Sequence, residues 1–366
     1  NIFAPDDSGL FQSTDNGYTW VPTQAGLITT WSTALIVSPS NRNQLFMSTY
    51  GQGVFQSNDR GQTWAAINGG LGDLYVHALV RNPAAPNILF ALTDSAGLFR
   101  YDTNLGGNWT AVSGNLPALA QGLAAPTSSG LSYGPDYPFK VPEKPDSDVY
   151  PGLHASLAPS VPASNPAYLA MVFAPSSPAA AYVGVYGSGV YKTTNGGSQW
   201  GAAGLSGYVV WSLAVDPTNP DAVYAATSTP GGIKMSTTGG ASWSDAPLPD
   251  PGLVAYSLAV SQDGKALYAG TSGGVYQLSG DAWTRLGIPG SAVTAVAVNP
   301  ALPGYIFAGT TNGGFYSPDA GLTWINASGS LSSLTIEAIS FDPFYPFTVY
   351  FSTTANGVLR QTLVNP

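Results

Sequence analysis

A chain of 366 residues that is 44% hydrophobic and 12% aromatic has ample material for one large core or two small ones. Only 8% of its residues are charged, its net charge is −9 and its eleven basic residues are scattered singly. A phosphate-binding face needs clustered Lys and Arg, so nucleic acid is excluded as a partner. Cysteine is absent, which excludes disulfides and thiolate metal sites, and no apolar stretch approaches the ~18 residues of a membrane span, so no membrane insertion is expected.

A Gly-rich and Pro-rich sequence that is also aromatic-rich reads as all-β with many turns. The chain starts at Asn1 without Met, so any leader is expected to have been removed. Few charges and much Ser, Thr, Gly and Asn point to a secreted or cell-surface protein.

In chain order, the first predicted element is the strand Asn1-Ile-Phe-Ala, followed by the segment Ser13-Thr-Asp15-Asn-Gly17-Tyr-Thr19-Trp20. The strands Leu45-Phe-Met-Ser and Gly53-Val-Phe-Gln lead into a second copy, Ser57-Asn-Asp59-Arg-Gly61-Gln-Thr63-Trp64. Weaker copies end at Trp109, Trp200, Trp243 and Trp283; Asn195 or Thr238 replaces the acid in two of them, and the copy at 279–283 is shortened. A third full copy is Ser317-Pro-Asp319-Ala-Gly321-Leu-Thr323-Trp324.

Strands of one grammar surround these segments. Inner strands end in Pro (Ser212-Leu-Ala-Val-Asp-Pro217, Ala295-Val-Ala-Val-Asn-Pro300), and a second strand (Val223-Tyr-Ala-Ala, Leu267-Tyr-Ala-Gly), a Gly-rich turn and a third strand follow. Four short strands per ~40–45 residues predict the blade of a β-propeller. Naming the strands A to D from the inside outward, the chain holds eight B, eight C, seven A and seven D strands. It begins at a B strand and ends after a C strand, Gly357-Val-Leu-Arg-Gln. The expected fold is therefore all-β: a single propeller of four-stranded antiparallel blades over residues 1–366, seven or eight in number. Eight repeat units with an incomplete seam account for every strand.

The pattern S-x-D-x-G-x-T-W resembles the Asp-box (BNR) repeat of sialidases, xyloglucanase-type glycosidases, sortilin-like receptors and a photosystem assembly factor, over nearly the whole chain. The resemblance implies a propeller and leaves function open, because those relatives do unrelated things. In each copy the Asp (Asp15, Asp59, Asp319) can fold back on N–H groups of its own turn, and the Gly supplies a positive φ. The Trp (Trp20, Trp64, Trp109, Trp200, Trp243, Trp283, Trp324) is expected to pack between neighbouring blades. A feature repeated around the ring is scaffold, so these residues are read as structural.

A site is sought where the repeat breaks. Loops alternate between two faces, and the B–C turns and D–A crossings share the face opposite the boxes. The longest crossing, 110–167, is a predicted inter-blade insertion carrying Tyr133, Tyr137, Tyr150 and His154. Aligned at their entries, the seven inner strands read Thr33, His77, Leu169, Trp211, Tyr256, Thr294 and Glu337, whereas the following core positions stay aliphatic. With Trp31, Tyr50, Tyr75, Tyr186 and Tyr208, the residues His77, Trp211 and Tyr256 could line an aromatic and polar bowl suited to sugar rings.

A sialidase-like reading fails, because no Arg-Ile-Pro segment and no arginine cluster occur. The segment Leu89-Phe-Ala-Leu-Thr93-Asp94-Ser-Ala-Gly97-Leu-Phe99-Arg100 resembles the xyloglucanase turn Leu-Tyr-Ala-Arg-Thr-Asp-x-Gly-Gly-x-Tyr-Arg, which implies a catalytic role for Asp94. Glycoside hydrolysis needs a second carboxyl some 5–10 Å away, for which Glu337, Asp73 or an acid of the 110–167 insertion are the candidates. A lyase would use His77 or His154 with a tyrosine as acid and base. No metal or cofactor constellation is present: there is no Cys, no paired His, no EF-type Asp spacing and no phosphate-cradling loop.

With no complete catalytic set, the leading reading is a secreted or cell-surface propeller without catalysis, binding a glycan or a protein through the face opposite the boxes. The alternatives are a xyloglucanase-like glycoside hydrolase or polysaccharide lyase using Asp94, Glu337 or His77, and a structural subunit self-associating through its seam.

Overall fold

In a computed structural model the described residues are 2–6, 9–13, 21–22, 32–114, 116, 168–185, 187–227, 232–288, 292–302, 304–327, 335–353 and 358–362, with backbone alone in the first three segments and at 168–169 and 358–360. All regular structure among them is strand. Seven antiparallel sheets stand around one axis, each with its first strand innermost. The inner strands are Ser32–Val37, Val76–Arg81, Tyr168–Ala174, Val210–Asp216, Ala255–Val260, Val293–Val298 and Ile336–Phe341, and they head blades 1 to 7. Each packs on the next, and that of blade 7 packs back on that of blade 1, so the ring is closed.

The eight-unit count is thereby corrected to seven blades. Blade number is set by the inner strands that meet at the axis, and there are seven. The surplus strands Ile2–Asp6 and Gly9–Ser13 join Val21–Pro22 in a separate three-stranded sheet, with no inner strand of their own. Ile2–Asp6 runs beside Val358–Thr362, the third strand of blade 7.

The core lies between blades. A sheet flanked on both faces buries every residue of its middle strands, which is why Ile88–Thr93 and Ala266–Thr271 read as unbroken apolar runs and are buried throughout. Ile88, Phe90 and Leu92 of blade 2 pack against Met171, Phe173 and Val183 of blade 3, with Trp200 in the same cluster. Burying each such side chain contributes roughly 1.5–3 kcal/mol. Close approach of neighbouring blades rests on glycine at one recurrent place. A Cβ on Gly309 of blade 6 would lie 2.5 Å from the Ile336 Cγ2 of blade 7.

Trp109, Trp243 and Trp324 bridge blades through their indole N–H groups, whereas that of Trp64 donates to Gly61 O of its own turn. The indole N–H of Trp109 donates to Ile67 O of blade 1 at 2.6 Å, and that of Trp243 to Ala203 O of blade 3 at 2.7 Å. The turns ahead of them close on themselves. Asp59 accepts from Thr63 N (2.8 Å) and Thr63 Oγ1 (2.6 Å), while Ser57 Oγ donates to Asp59 and accepts from Gly61 N. The turn at Asp319 repeats these bonds. Gly61 and Gly321 take the positive φ (85° and 96°), and the residues before them, Arg60 and Ala320, take it too (63° and 58°).

Candidate functional site

Every inner strand carries a β-bulge one residue after its start. The register slips between Ser32 and Ala34, Val76 and Ala78, Tyr168 and Ala170, Val210 and Ser212, Ala255 and Ser257, Val293 and Ala295, and Ile336 and Ala338. The residues skipped are Thr33, His77, Leu169, Trp211, Tyr256, Thr294 and Glu337, the same seven at which the repeat breaks. A bulge leaves its extra residue out of the ladder and re-aims its side chain, so this position varies without disturbing the strand. The residue before it holds the register: Val76, Val210, Ala255, Val293 and Ile336 are fully buried.

Two of the seven are structural. Thr33 Oγ1 donates to Val76 O of blade 2 at 2.8 Å, and Thr294 Oγ1 donates to Ile336 O of blade 7 at 2.5 Å. These hydroxyls join one blade to the next, which removes Thr33 and Thr294 from the rim. Trp211 and Tyr256 are partly exposed at the entries of blades 4 and 5. Tyr208 is engaged elsewhere, its ring under the Lys234 ammonium at 5.0 Å, and Lys234 also pairs with Asp245.

The structure gathers four of the candidate residues at blades 1 and 2. Tyr50 leaves the second strand of blade 1 and forms an isolated antiparallel bridge with Tyr75, which draws the B–C turn of blade 1 onto the entrance of blade 2. Gly51 N and Gly53 N reinforce this by donating to Leu74 O. The Tyr50 ring then stands edge-on to Tyr75 (centroids 4.9 Å apart) and to His77 (5.4 Å). His77 Nε2 lies 3.2 Å from Asp94 Oδ1, with side-chain exposures of 15% and 26%.

Asp94 is held in place by its turn. Thr93 Oγ1 donates across the turn to Gly97 O at 2.8 Å, and Asp94 N donates to Tyr75 O at 2.9 Å. The same threonine lock closes the B–C turns at Thr49, Thr227, Thr271 and Thr310. Asp73, a candidate second carboxyl, is occupied: Oδ1 accepts from Tyr75 N, and Oδ2 accepts from Ser95 N and Oγ. It is a positioning residue that ties Tyr75 to the Asp94 turn. Burial, together with the charges of Asp73 and Asp94, raises the Tyr75 phenol above its ordinary pKa, so that it stays a donor at all ordinary pH.

Bonding to a carboxylate assigns the His77 proton to Nε2 and leaves Nδ1 as the basic nitrogen. The site thus offers aromatic surface, phenol hydroxyls, an oriented imidazole and one carboxylate. Glu337 is not part of this cluster: it sits in blade 7, on the other side of blade 1. The residue as a whole is partly exposed, yet its Oε1 is sealed from solvent without a hydrogen-bond partner. Burial alone pushes its carboxyl up to about 8.

The remaining candidates, Trp31, Tyr133, Tyr137, Tyr150, His154, Tyr186, Asp15 and Trp20, have side chains outside the described residues. No group of three or more His, Asp or Glu among the described residues is arranged to hold a metal ion, and none of them forms a helix long and apolar enough to cross a membrane. Sequence reasoning had no signal for the contact of Tyr50 with Tyr75 and His77, because it joins turns of two different blades. A Thr ends nearly every second strand, but the sequence pattern alone does not reveal that its hydroxyl closes the following turn.

No protein-family model matches the sequence, and no curated protein does. Solved structures match in fold. A GH74 xyloglucanase from Xanthomonas campestris superposes with a TM-score of 0.63 at 16% identity, over 92% of this chain and 53% of the enzyme. The extracellular domain of a putative one-component system from B. thetaiotaomicron gives 0.61 at 14%, over 93% of this chain and 39% of that one. YCF48 from Cyanidioschyzon merolae gives 0.60 at 14%, over 92% and 97%. The chain spans about half the length of the xyloglucanase it resembles. What the three share with it is the architecture of a β-propeller.

Proposed function

We propose that this propeller is an extracellular carbohydrate-binding protein whose ligand seats on the face opposite the box turns, at blades 1 and 2. The observation that carries the reading is the cluster of Tyr50, Tyr75, His77 and Asp94, in which aromatic rings adjoin an oriented hydrogen-bonding pair. Sugar rings present apolar C–H faces to aromatic side chains and hydroxyls to carboxylates and imidazoles, so such a surface fits them better than a purely apolar peptide. Fold neighbours that include xyloglucanases and an extracellular sensor domain are consistent with that ligand class and location.

A screen of the full chain against neutral and acidic polysaccharides, followed by titration calorimetry, tests this reading. Tyr50→Ala is expected to weaken binding about tenfold, the loss of roughly 1.4 kcal/mol of ring contact. Failure of the wild type to bind any sugar would overturn the proposal. The 3.2 Å His77–Asp94 pair supports a second reading, hydrolysis or elimination with His77 as base. Release of reducing ends from a bound polysaccharide, abolished in Asp94→Asn, would put that reading first.

A further inference from the structure

Glu337 occupies the bulge of blade 7, the position where Thr33 and Thr294 use their hydroxyls to bind the next blade. Its neighbours on the ring are already committed. Thr294 holds Ile336 O, the Thr33 hydroxyl is bonded to Val76 O and Ser48, and blade 7 itself is fastened to blade 1 by Ser340 Oγ donating to Leu35 O at 2.6 Å. Among the described residues, therefore, inter-blade hydrogen bonding does not use Glu337, and its Oε1 is enclosed without a partner. A buried, unanswered carboxyl oxygen is unfavourable, and a role in binding is one reason for a native protein to keep it.

The entry position of Glu337 is equivalent to that of His77, two blades further round the ring. A ligand lying across blade 1 would reach both. At the blade 2 end of such a path the charge is negative, since Asp73 and Asp94 both act on Tyr75. Anionic sugars would be repelled there.

We propose that Glu337 is a second anchor of the carbohydrate site: its side chain, partly exposed as a whole, turns its carboxyl out of the enclosed position to hydrogen-bond a hydroxyl of an uncharged sugar at the junction of blades 7 and 1, with the chain of sugars running over blade 1 to Tyr50, His77 and Asp94. This inference rests on the carbohydrate reading above. The carboxyl's retention of its proton at neutral pH lets it donate as well as accept, which suits a neutral hydroxyl.

The test is titration calorimetry of the full chain at pH 6 with a neutral β-glucan hexasaccharide and with hexagalacturonate. Glu337→Thr, which installs the residue used in blades 1 and 6, is expected to weaken binding of the neutral hexasaccharide about tenfold while leaving the melting temperature equal or higher. Glu337→Gln, which can still donate and accept, is expected to stay within about threefold of the wild type. Hexagalacturonate is expected not to bind. Unchanged affinity in Glu337→Thr, with loss in Tyr50→Ala, would remove Glu337 from the site and leave the carbohydrate reading standing. Tighter binding of hexagalacturonate than of the neutral sugar would overturn the uncharged-ligand assignment. Absence of any binding by the wild type would overturn both. Should Glu337→Thr not fold, Glu337→Ala carries the same expectation.

Discussion

Two kinds of carboxylate distinguish the two faces of this ring. On the box face, Asp59 and Asp319 have their oxygens engaged by Ser and Thr within a few residues of themselves. On the opposite face, Asp94 meets a histidine from another strand, and Glu337 has an oxygen with no protein partner. The first kind is repeated and satisfied locally; the second occurs once and is satisfied across elements or not at all. Repetition marks what builds the ring, and the unrepeated groups mark what is available to a ligand.

The largest expected effect tests the structural side of this contrast. Trp109 is buried and donates to blade 1, so Trp109→Ala should cost about 3–5 kcal/mol in chemical denaturation. A loss below about 1 kcal/mol would show that blades cohere without their tryptophans. Next comes Glu337→Gln. The folded-state carboxyl is raised to about 8, so between its ordinary value near 4.5 and pH 8 the folded state holds a proton that the unfolded state has released. Stability of the wild type should therefore fall as pH rises through this window, relative to the variant, and run parallel to it above pH 8. The melting temperature of Glu337→Gln should exceed that of the wild type by at least ~2 °C at pH 8 and converge on it near pH 4. A constant difference at all pH values would mean that Glu337 is already ionised in the fold.

The smallest effect concerns the box. Burial would raise the Asp59 carboxyl, but its hydrogen bonds from Thr63 and Ser57 win and hold it below the ordinary range. Asp59→Ala is expected to cost about 1 kcal/mol, a modest figure because the turn is largely in water. The depressed carboxyl contributes its stability above the ordinary Asp range and loses it as pH falls through the folded value, so the gap should close only in acid. Loss of sugar binding in Asp59→Ala, with stability intact, would break the division between the faces.

Much of this was legible in the sequence because each blade repeats its neighbour. The boxes set the period, and alignment of the inner strands picked out Thr33, His77, Leu169, Trp211, Tyr256, Thr294 and Glu337 without any knowledge that each is a bulge. What each residue does at that position was not legible. Thr33 and Glu337 look alike as departures from an aliphatic pattern, and only coordinates separate a hydroxyl clamped on Val76 O from a carboxyl with a free oxygen. Blade number stayed open between seven and eight because the sequence yields a count of strands, whereas closure depends only on those that reach the axis. Asp73 is a candidate second catalytic carboxyl by sequence; its bonds to Tyr75 N and Ser95 depend on two turns meeting, with Asp73 and Ser95 22 residues apart, which no local pattern encodes.

The recurrent bulge has a consequence for how such a ring can change. One residue per blade stands outside the hydrogen-bonding ladder, flanked by a buried neighbour that fixes the register. Where that residue does not clamp the next blade, as Thr33 and Thr294 do, its substitution leaves the strand register in place, so positions 77, 211, 256 and 337 behave as sockets on a constant frame. A library varying only residues 77, 211, 256 and 337 would explore recognition while leaving five-sixths or more of each of their inner strands untouched.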